Sequence, residues 1–140
     1  MLLAADKKRG AKSCYRSVTY DLRSIYIRQR RHRIIEVLHI VLHFAAPAVV
    51  TGLFFRRRWQ LAYLAMISTM VVDVDHLFAN PVYDPTRCSI GFHPLHEPWF
   101  IALYFVLCFL PKTQLFGIGL MLHMALDAAD CQLTNGIWFT

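Results

Sequence analysis

Histidine and aspartate residues recur in this sequence at spacings that bring them to one side of a helix. His39 and His43 are four residues apart, and His123, Asp127 and Asp130 follow each other at intervals of four and three. Residues three or four apart lie on the same stripe of an α-helix. Because imidazole and carboxylate groups together bind zinc, manganese and iron, these stripes predict a site for a divalent metal ion.

Two shorter motifs contain the same residue types. The first is an Asp-x-Asp-His motif that begins at Asp73, and the second is a His-x-x-His motif that begins at His93. On a continuing helix Asp73 and His76 share a stripe, whereas Asp75 points away from Asp73. We therefore expect either that the helix loosens at the first motif or that Asp75 has a role of its own.

The segments that carry these motifs are apolar. Hydrophobic residues make up 56% of the chain and charged residues 17%, with a mean hydropathy of +0.39. This composition excludes a disordered chain and a coiled coil. Four long stretches without Asp, Glu, Lys or Arg exceed what one small soluble core can bury, so we predict an integral membrane protein. The stretches are Val37–Phe55, Trp59–Val72, Pro98–Pro111 and Thr113–Leu126.

Four membrane-crossing helices account for these stretches, since ~20 apolar residues cross the ~30 Å hydrocarbon core. The runs are too long for barrel strands and lack their alternation. We predict an all-α integral membrane four-helix bundle at residues 34–131, between a basic, flexible segment at 1–33 and a tail at 132–140. A soluble bundle with short buried helices is the alternative. The predicted helices are Val37–Phe55, Leu61–Ala79, a short one starting near Pro98, and Gln114–Asp130, with Gly117 and Gly119 allowing close packing.

An up-and-down arrangement of these helices places their polar groups at one membrane face. Each motif lies at the end of its helix that reaches this face. Ionisable groups at membrane depth are costly and need partners, which a cation provides. We expect a polar His/Asp cluster holding one ion, or two ions ~3.5–4 Å apart. The predicted ligands are His39, His43, Asp73, His76, His93, His96, His123 and Asp127.

The same motifs resemble those of known membrane proteins. The segments Asp73–His76, His93–His96 and His123–Asp127 resemble bacterial inner-membrane proteins described as membrane-bound metal-dependent hydrolases. From Leu38 to Cys131, about two thirds of the chain, the sequence is more similar still to a small four-span family related to them. The resemblance implies a multi-pass protein of the bacterial inner membrane and metal-dependent hydrolysis. The matching pattern is Leu38-His39…His43 with Pro47, Asp73-Val74-Asp75-His76, Arg87-Cys88-Ser89-Ile90-Gly91-Phe92-His93-Pro94-Leu95-His96, and His123…Asp127…Asp130-Cys131.

A hydrolytic mechanism follows from these groups as a hypothesis. Water bound to a divalent ion loses a proton near pH 7 and becomes a nucleophile. Asp75 or Glu97 is predicted to accept that proton as general base, and Arg87 to stabilise negative charge on the substrate. Because the site would open at the depth of the lipid headgroups, the expected substrate is a lipid-borne ester or phosphoester.

Other functions would use the same residues. A non-catalytic protein that stores, senses or transfers an ion would bind metal without turnover. A b-type haem protein would use two of His39, His43 and His123 as axial ligands, although the neighbouring carboxylates argue against haem. Each residue also has a plain structural alternative, such as a packing histidine or a loop salt bridge between Arg87 and Asp84. The convergence of four motifs favours the metal site.

The amino-terminal segment is basic, since residues 1–36 contain ten of the fifteen Lys and Arg residues. Such a segment attracts anionic lipid headgroups at ~1 kcal/mol per charge. Nucleic-acid binding is not expected, because aromatic residues are not organised around the basic ones.

The orientation in the membrane stays open at this stage. Under the positive-inside rule the basic tail places the metal-site face in the cytoplasm, whereas Arg56–Arg58 and Lys112 place the opposite face there. Cys88 and Cys131 share the metal-site face. They are expected to be paired in an oxidising compartment and reduced in the cytoplasm.

Overall fold

The structure is a computed structural model that describes residues 3–82, 84 and 87–139, with the backbone alone for residues 3–20. The chain divides into two compact units, Met1–Ile34 and Ile35–Thr140. Every candidate site residue belongs to the second unit. Every regular element in the described ranges is helical, which confirms the predicted all-α class.

The first helix, α1, runs from Leu3 to Phe54 and includes the predicted first span. Its backbone is also helical through residues 3–33, where we expected a flexible tail, because Ala, Lys, Arg and Leu favour helix. Residues 1–2 lie outside the described part of the chain. Contact of the basic side chains with lipid stays a prediction. In the second unit, the buried side chains of α1 are one stripe at intervals of four: His43, Pro47 and Thr51.

The second helical segment changes its geometry halfway. After a short 3₁₀ turn at Arg56–Arg58, α2 runs from Trp59 to Ser68, and Thr69–Phe78 continues as a 3₁₀ helix. A 3₁₀ helix has three residues per turn and seldom extends beyond four residues, so its presence often marks strain or function. In this geometry Asp73 and His76 eclipse each other, and Asp75 projects to another side. The helix therefore tightens at the motif rather than loosening, and Asp75 faces different partners from Asp73.

Two prolines shape the entry to the third helix. The 3₁₀ turn Pro94–His96 precedes α3, which runs from Pro98 to Leu107. Pro98 occupies the first turn, where its missing N–H is no loss, as the sequence predicts.

The fourth helix, α4, runs from Gln114 to Asn135 and ends at Gly136, whose φ of 73° lies in the left-handed region that glycine favours. It therefore includes part of the predicted tail at 132–140.

The fourth helix packs closely against two others through its glycines. A Cβ added at Gly117 would lie 2.5 Å from the backbone nitrogen of Cys108, just after α3, and one at Gly119 would lie 2.9 Å from the Cα of Met66 in α2. The predicted close packing at these glycines is confirmed. The buried core beside this contact is formed by Val72, Cys88, Ile90, Tyr104, Met124 and Cys131.

Candidate metal centre

The buried carboxylate of Asp127 lies between two pairs of histidines. Its Oδ1 is 3.3 Å from Nε2 of His39 and 3.4 Å from Nε2 of His43, both on α1. Its Oδ2 is 3.0 Å from Nε2 of His96 and 3.5 Å from Nε2 of His123. Each oxygen of one side chain therefore faces its own pair of imidazole nitrogens.

One ligand group has four members: Asp73, His96, His123 and Asp127. Oδ1 of Asp73 is 3.0 Å from Nε2 of His123 and 3.6 Å from Nε2 of His96. With the two distances to Asp127, the neighbouring donor atoms are 3.0–3.6 Å apart. Donor atoms around a tetrahedral ion with bonds of about 2.0–2.1 Å lie about 3.3 Å apart, so these four distances are compatible with a tetrahedral divalent site.

A second ligand group has three members: His39, His43 and Asp127. Nδ1 of His43 lies 2.9 Å from the carbonyl oxygen of His39. A carbonyl can only accept, so Nδ1 carries a proton and donates it, and Nε2 is the ring nitrogen that faces Asp127 and could bind a metal ion. Three protein ligands leave a fourth position free, which is typical of catalytic rather than structural zinc sites.

Several donor atoms of both groups are buried without a hydrogen-bond partner. These include Nε2 of His43, Nε2 of His96 and Oδ2 of Asp127. Nε2 of His96 and Oδ2 of Asp127 are 3.0 Å apart and form an ion pair only when His96 is protonated. A buried polar group left unpaired costs about 1–3 kcal/mol. A cation bound between these atoms would give all of them a partner. Imidazole nitrogens and carboxylate oxygens are also ligands that divalent metal ions accept.

The raised pKa of His96 also indicates that this position favours a positive charge. Burial alone would lower the pKa of His96, but the carboxylates of Asp127 and Asp73 raise it to about 10. The carboxylates thus stabilise positive charge at this position. A metal ion would take the place of that proton, because metal binding releases protons from its ligands.

Asp75 lies behind His96 and orients it. Its Oδ2 is 3.2 Å from Nδ1 of His96 and accepts a hydrogen bond of 2.8 Å from the backbone N–H of Leu95. Its Oδ1 is 3.1 Å from Nδ1 of His76. A carboxylate behind a ligating histidine fixes the ring and raises its basicity. Asp75 was expected as a general base, but both of its oxygens are engaged, which indicates a positioning role.

His76 belongs to a third possible ligand group, together with Asp75 and His96, as its prediction as a ligand expects. Its Nε2 is also 3.3 Å from Oγ of Ser89. The ring of His93 stacks on that of His76, with centroids 3.7 Å apart. Burial and the neighbouring His76 lower the pKa of His93 to about 4.

His93 was predicted as a ligand, but it belongs to none of the ligand groups in the described part of the chain. His93 precedes Pro94 and has an extended backbone, and its ring centroid lies 5.8 Å from that of His96.

Arg87 and Glu97, predicted to act in catalysis, are not among the described ligand groups. Nη1 of Arg87 donates a 2.9 Å hydrogen bond to the carbonyl oxygen of Pro81, and its guanidinium lies 4.5 Å from the ring centroid of Phe92. These contacts hold Arg87 within its own loop. The backbone carbonyl of Glu97 accepts hydrogen bonds from the first turn of α3.

The structure adds functional details that spacing did not reveal. Ser89 contacts His76, and Oδ1 of Asp130 lies 3.9 Å from Nδ1 of His39. The position of Ser89 inside the specific Arg87–His96 segment was the one available signal. Cys88 and Cys131, whose pairing the sequence left open, form a disulfide with Cα atoms 5.1 Å apart.

The geometry also bears on the haem alternative. Nε2 atoms of His39 and His43 converge on one oxygen of Asp127, whereas axial haem ligands approach iron from opposite sides of the ring. His39 and His43 are therefore not arranged as a pair of axial haem ligands.

The sequence model of one protein family matches most of the chain. It is described as a family of unknown function, DUF6122, and it matches residues 33–134. That range contains every candidate ligand and both disulfide cysteines, and it excludes most of the basic segment. No curated protein and no solved structure matches the chain.

Proposed function

We propose that this chain, which belongs to DUF6122, a family of unknown function, is a membrane-bound hydrolase that uses two divalent metal ions. One observation carries the proposal: each oxygen of the buried Asp127 carboxylate faces a separate pair of histidine Nε2 atoms. A carboxylate placed in this way can bridge two ions about 3.5–4 Å apart. The resemblance to membrane-bound metal-dependent hydrolases is consistent with this proposal.

The two ligand groups differ in a way that suits catalysis. Four protein ligands close the group of Asp73, His96, His123 and Asp127, whereas His39, His43 and Asp127 leave a position free. When bound, divalent ions supply Lewis-acid activation of water. Zinc fits the tetrahedral spacing of the four-ligand group best, and manganese or iron also accept this donor set.

The chain's own residues hold the reacting groups in place. His43 is fixed by its bond to the His39 carbonyl, and His96 is fixed by Asp75. Asp130 is a non-ligand carboxylate beside His39, with about a third of its side chain exposed. We assign proton acceptance to Asp130 in place of Asp75, because the Asp75 oxygens are already hydrogen-bonded.

The outer surface of the helices favours a membrane. Two helices, Asp21–Phe54 and Arg56–Phe78, are long and apolar enough to cross one, yet only 17% and 28% of their apolar windows are buried. The core helix of a soluble protein would be mostly buried. Large apolar side chains instead face outward in each of the helices α1 to α4, for example Val37, Leu64, Phe105 and Phe116 at 46–66% exposure.

The proposed arrangement is a four-span bundle in the bacterial inner membrane. The third span, α3, has ten residues and is about 15 Å long, so we expect the bilayer to thin around it. The disulfide between Cys88 and Cys131 favours an oxidising compartment for the site face. Arg56–Arg58 and Lys112 would then lie in the cytoplasm, in agreement with the positive-inside rule for these short loops.

A metal centre near one membrane face suits a substrate whose reactive group lies at headgroup depth. A lipid-borne ester or phosphoester meets this condition, and its negative charge in the transition state would be stabilised by the ions.

Metal content and hydrolysis measured together test the proposal. Elemental analysis of the detergent-purified chain is expected to give two divalent ions per chain, with turnover on a panel of labelled phospholipids and lipid esters. The variant His43→Ala is expected to keep one ion and lose turnover, while Cys108→Ser, a change outside the site, should keep both ions and turnover. Two ions without turnover would favour ion storage or transfer, and a wild-type chain without bound metal would refute the proposal.

A further inference from the structure

We propose that the disulfide between Cys88 and Cys131 positions His96, so that only the ion of the four-ligand group depends on it. This inference rests on the proposed two-ion centre. Cys88 lies in the segment between the second and third helices, and Cys131 lies on α4, four residues after Asp127. Both cysteines are 2% exposed. The disulfide therefore joins the segment that carries His96 to α4, the helix that carries His123 and Asp127 of the same four-ligand group.

The path from the disulfide to His96 is short and internally fastened. The backbone N–H of Gly91 donates a 3.1 Å hydrogen bond to the carbonyl oxygen of His96, which closes the segment on itself. Gly91 has a φ of 85°, a conformation that favours glycine. Ile90 lies two residues after Cys88 and is buried in the same core cluster as Cys131. Displacement of Cys88 would therefore move His96.

The other restraints on His96 come from different helices. Asp75 holds Nδ1 of His96 and the N–H of Leu95, and the hydroxyl of Tyr104 donates a 3.0 Å hydrogen bond to the carbonyl oxygen of Leu95. These contacts fasten His96 to the Thr69–Phe78 segment and to α3. The disulfide cross-links the segment that carries Cys88 and His96 to α4, and it sets the distance from His96 to Asp127.

The three-ligand group takes nothing from this segment. His39 and His43 belong to α1, and Asp127 belongs to α4. Opening of the disulfide leaves all three on intact helices. The two ions should consequently respond differently to one chemical change.

A zinc titration of the full-length chain in detergent tests this difference. In the variant Cys88→Ser/Cys131→Ser one zinc ion should bind about tenfold or more weakly, a loss typical of removing a group that orients a ligand, while the other keeps its affinity within about twofold. Cys108→Ser should match the wild type. Adding His43→Ala identifies the affected ion, because the remaining four-ligand ion should then show the whole loss.

Treatment of the wild-type chain with a phosphine reductant repeats the comparison without a substitution, in case the serine variant does not fold. Unchanged affinity for both ions would overturn the proposal, and so would equal weakening of both, since the disulfide would then act on the fold as a whole. The number of zinc ions bound by the wild-type chain is measured first, before any cysteine is changed. Fewer than two ions would overturn the two-ion centre itself.

Discussion

Replacement of Asp127 by Asn tests the shared carboxylate directly. The side chain keeps its size, but only one oxygen remains and the negative charge between the two ions is lost. Structural zinc in zinc-finger peptides binds with about 10–16 kcal/mol, and on that scale each of four ligands contributes about 3 kcal/mol. At 1.4 kcal/mol per factor of ten, each ion should bind roughly 100-fold more weakly. Both ions should be affected, because Asp127 belongs to both ligand groups.

Three matched variants separate a shared ligand from general damage. Asp73→Asn should weaken only the ion of the four-ligand group, and His43→Ala only the ion of the three-ligand group. Asp84→Asn makes the same chemical change beside Arg87, outside the described ligand groups, and should weaken neither. Competition with a chromophoric zinc chelator measures the affinities, and elemental analysis counts the ions retained after dialysis.

The reasoning fails if Asp127→Asn weakens one ion and spares the other, since the carboxylate would then serve a single ion. It also fails if Asp73→Asn and His43→Ala each remove both ions, because the two groups would not be separate.

Three further predictions follow from the same contacts. Asp75→Asn should weaken only the ion of the four-ligand group, by about 10–100-fold, as a change behind a ligating histidine does; calorimetric titration with zinc measures it, and equal weakening of both ions would contradict the positioning role. Gly117→Ala should destabilise the chain by about 1–3 kcal/mol, because the new Cβ would lie 2.5 Å from the Cys108 nitrogen, whereas Gly52→Ala meets nothing within 4 Å; a Tm in detergent that is equal for both would show that this close approach is absent. Chelation should lower the Tm of the wild-type chain, since an ion at 1,000 times its Kd adds about 4 kcal/mol, and added zinc should restore it; the shift should shrink in Asp127→Asn.

Much of the helical layout was predictable because local patterns encode it. The apolar run that begins at Val37 lies within α1. Pro98 is the first residue of α3, and Gln114, where the fourth predicted helix begins, is the first residue of α4. The conversion to a 3₁₀ helix at Thr69–Phe78 was not predictable, although the spacing of Asp73 and Asp75 left open whether the α-helix continues unchanged there. An apolar sequence accepts either helix, and tertiary contacts of Asp75 with His96 and Leu95 favour the tighter one.

The candidate site was predictable in membership more than in role. Side chains on one stripe of one helix must lie together, so the pairing of His39 with His43 and of His123 with Asp127 follows from the chain itself. His93 and His96 are also three residues apart, yet one stacks on His76 and the other faces Asp127. Their segment is not a continuous helix, so spacing says nothing of direction there.

By itself the sequence determined that the chain is all-helical and which imidazoles and carboxylates can meet, because hydrophobic periodicity and i, i+4 spacing are local properties. The tertiary structure alone decided that the two oxygens of Asp127 are divided between two histidine pairs, that Asp75 supports His96, and that Cys88 pairs with Cys131. These contacts join residues up to 88 positions apart, from His39 to Asp127. Their geometry depends on how the helices pack, which no local pattern records.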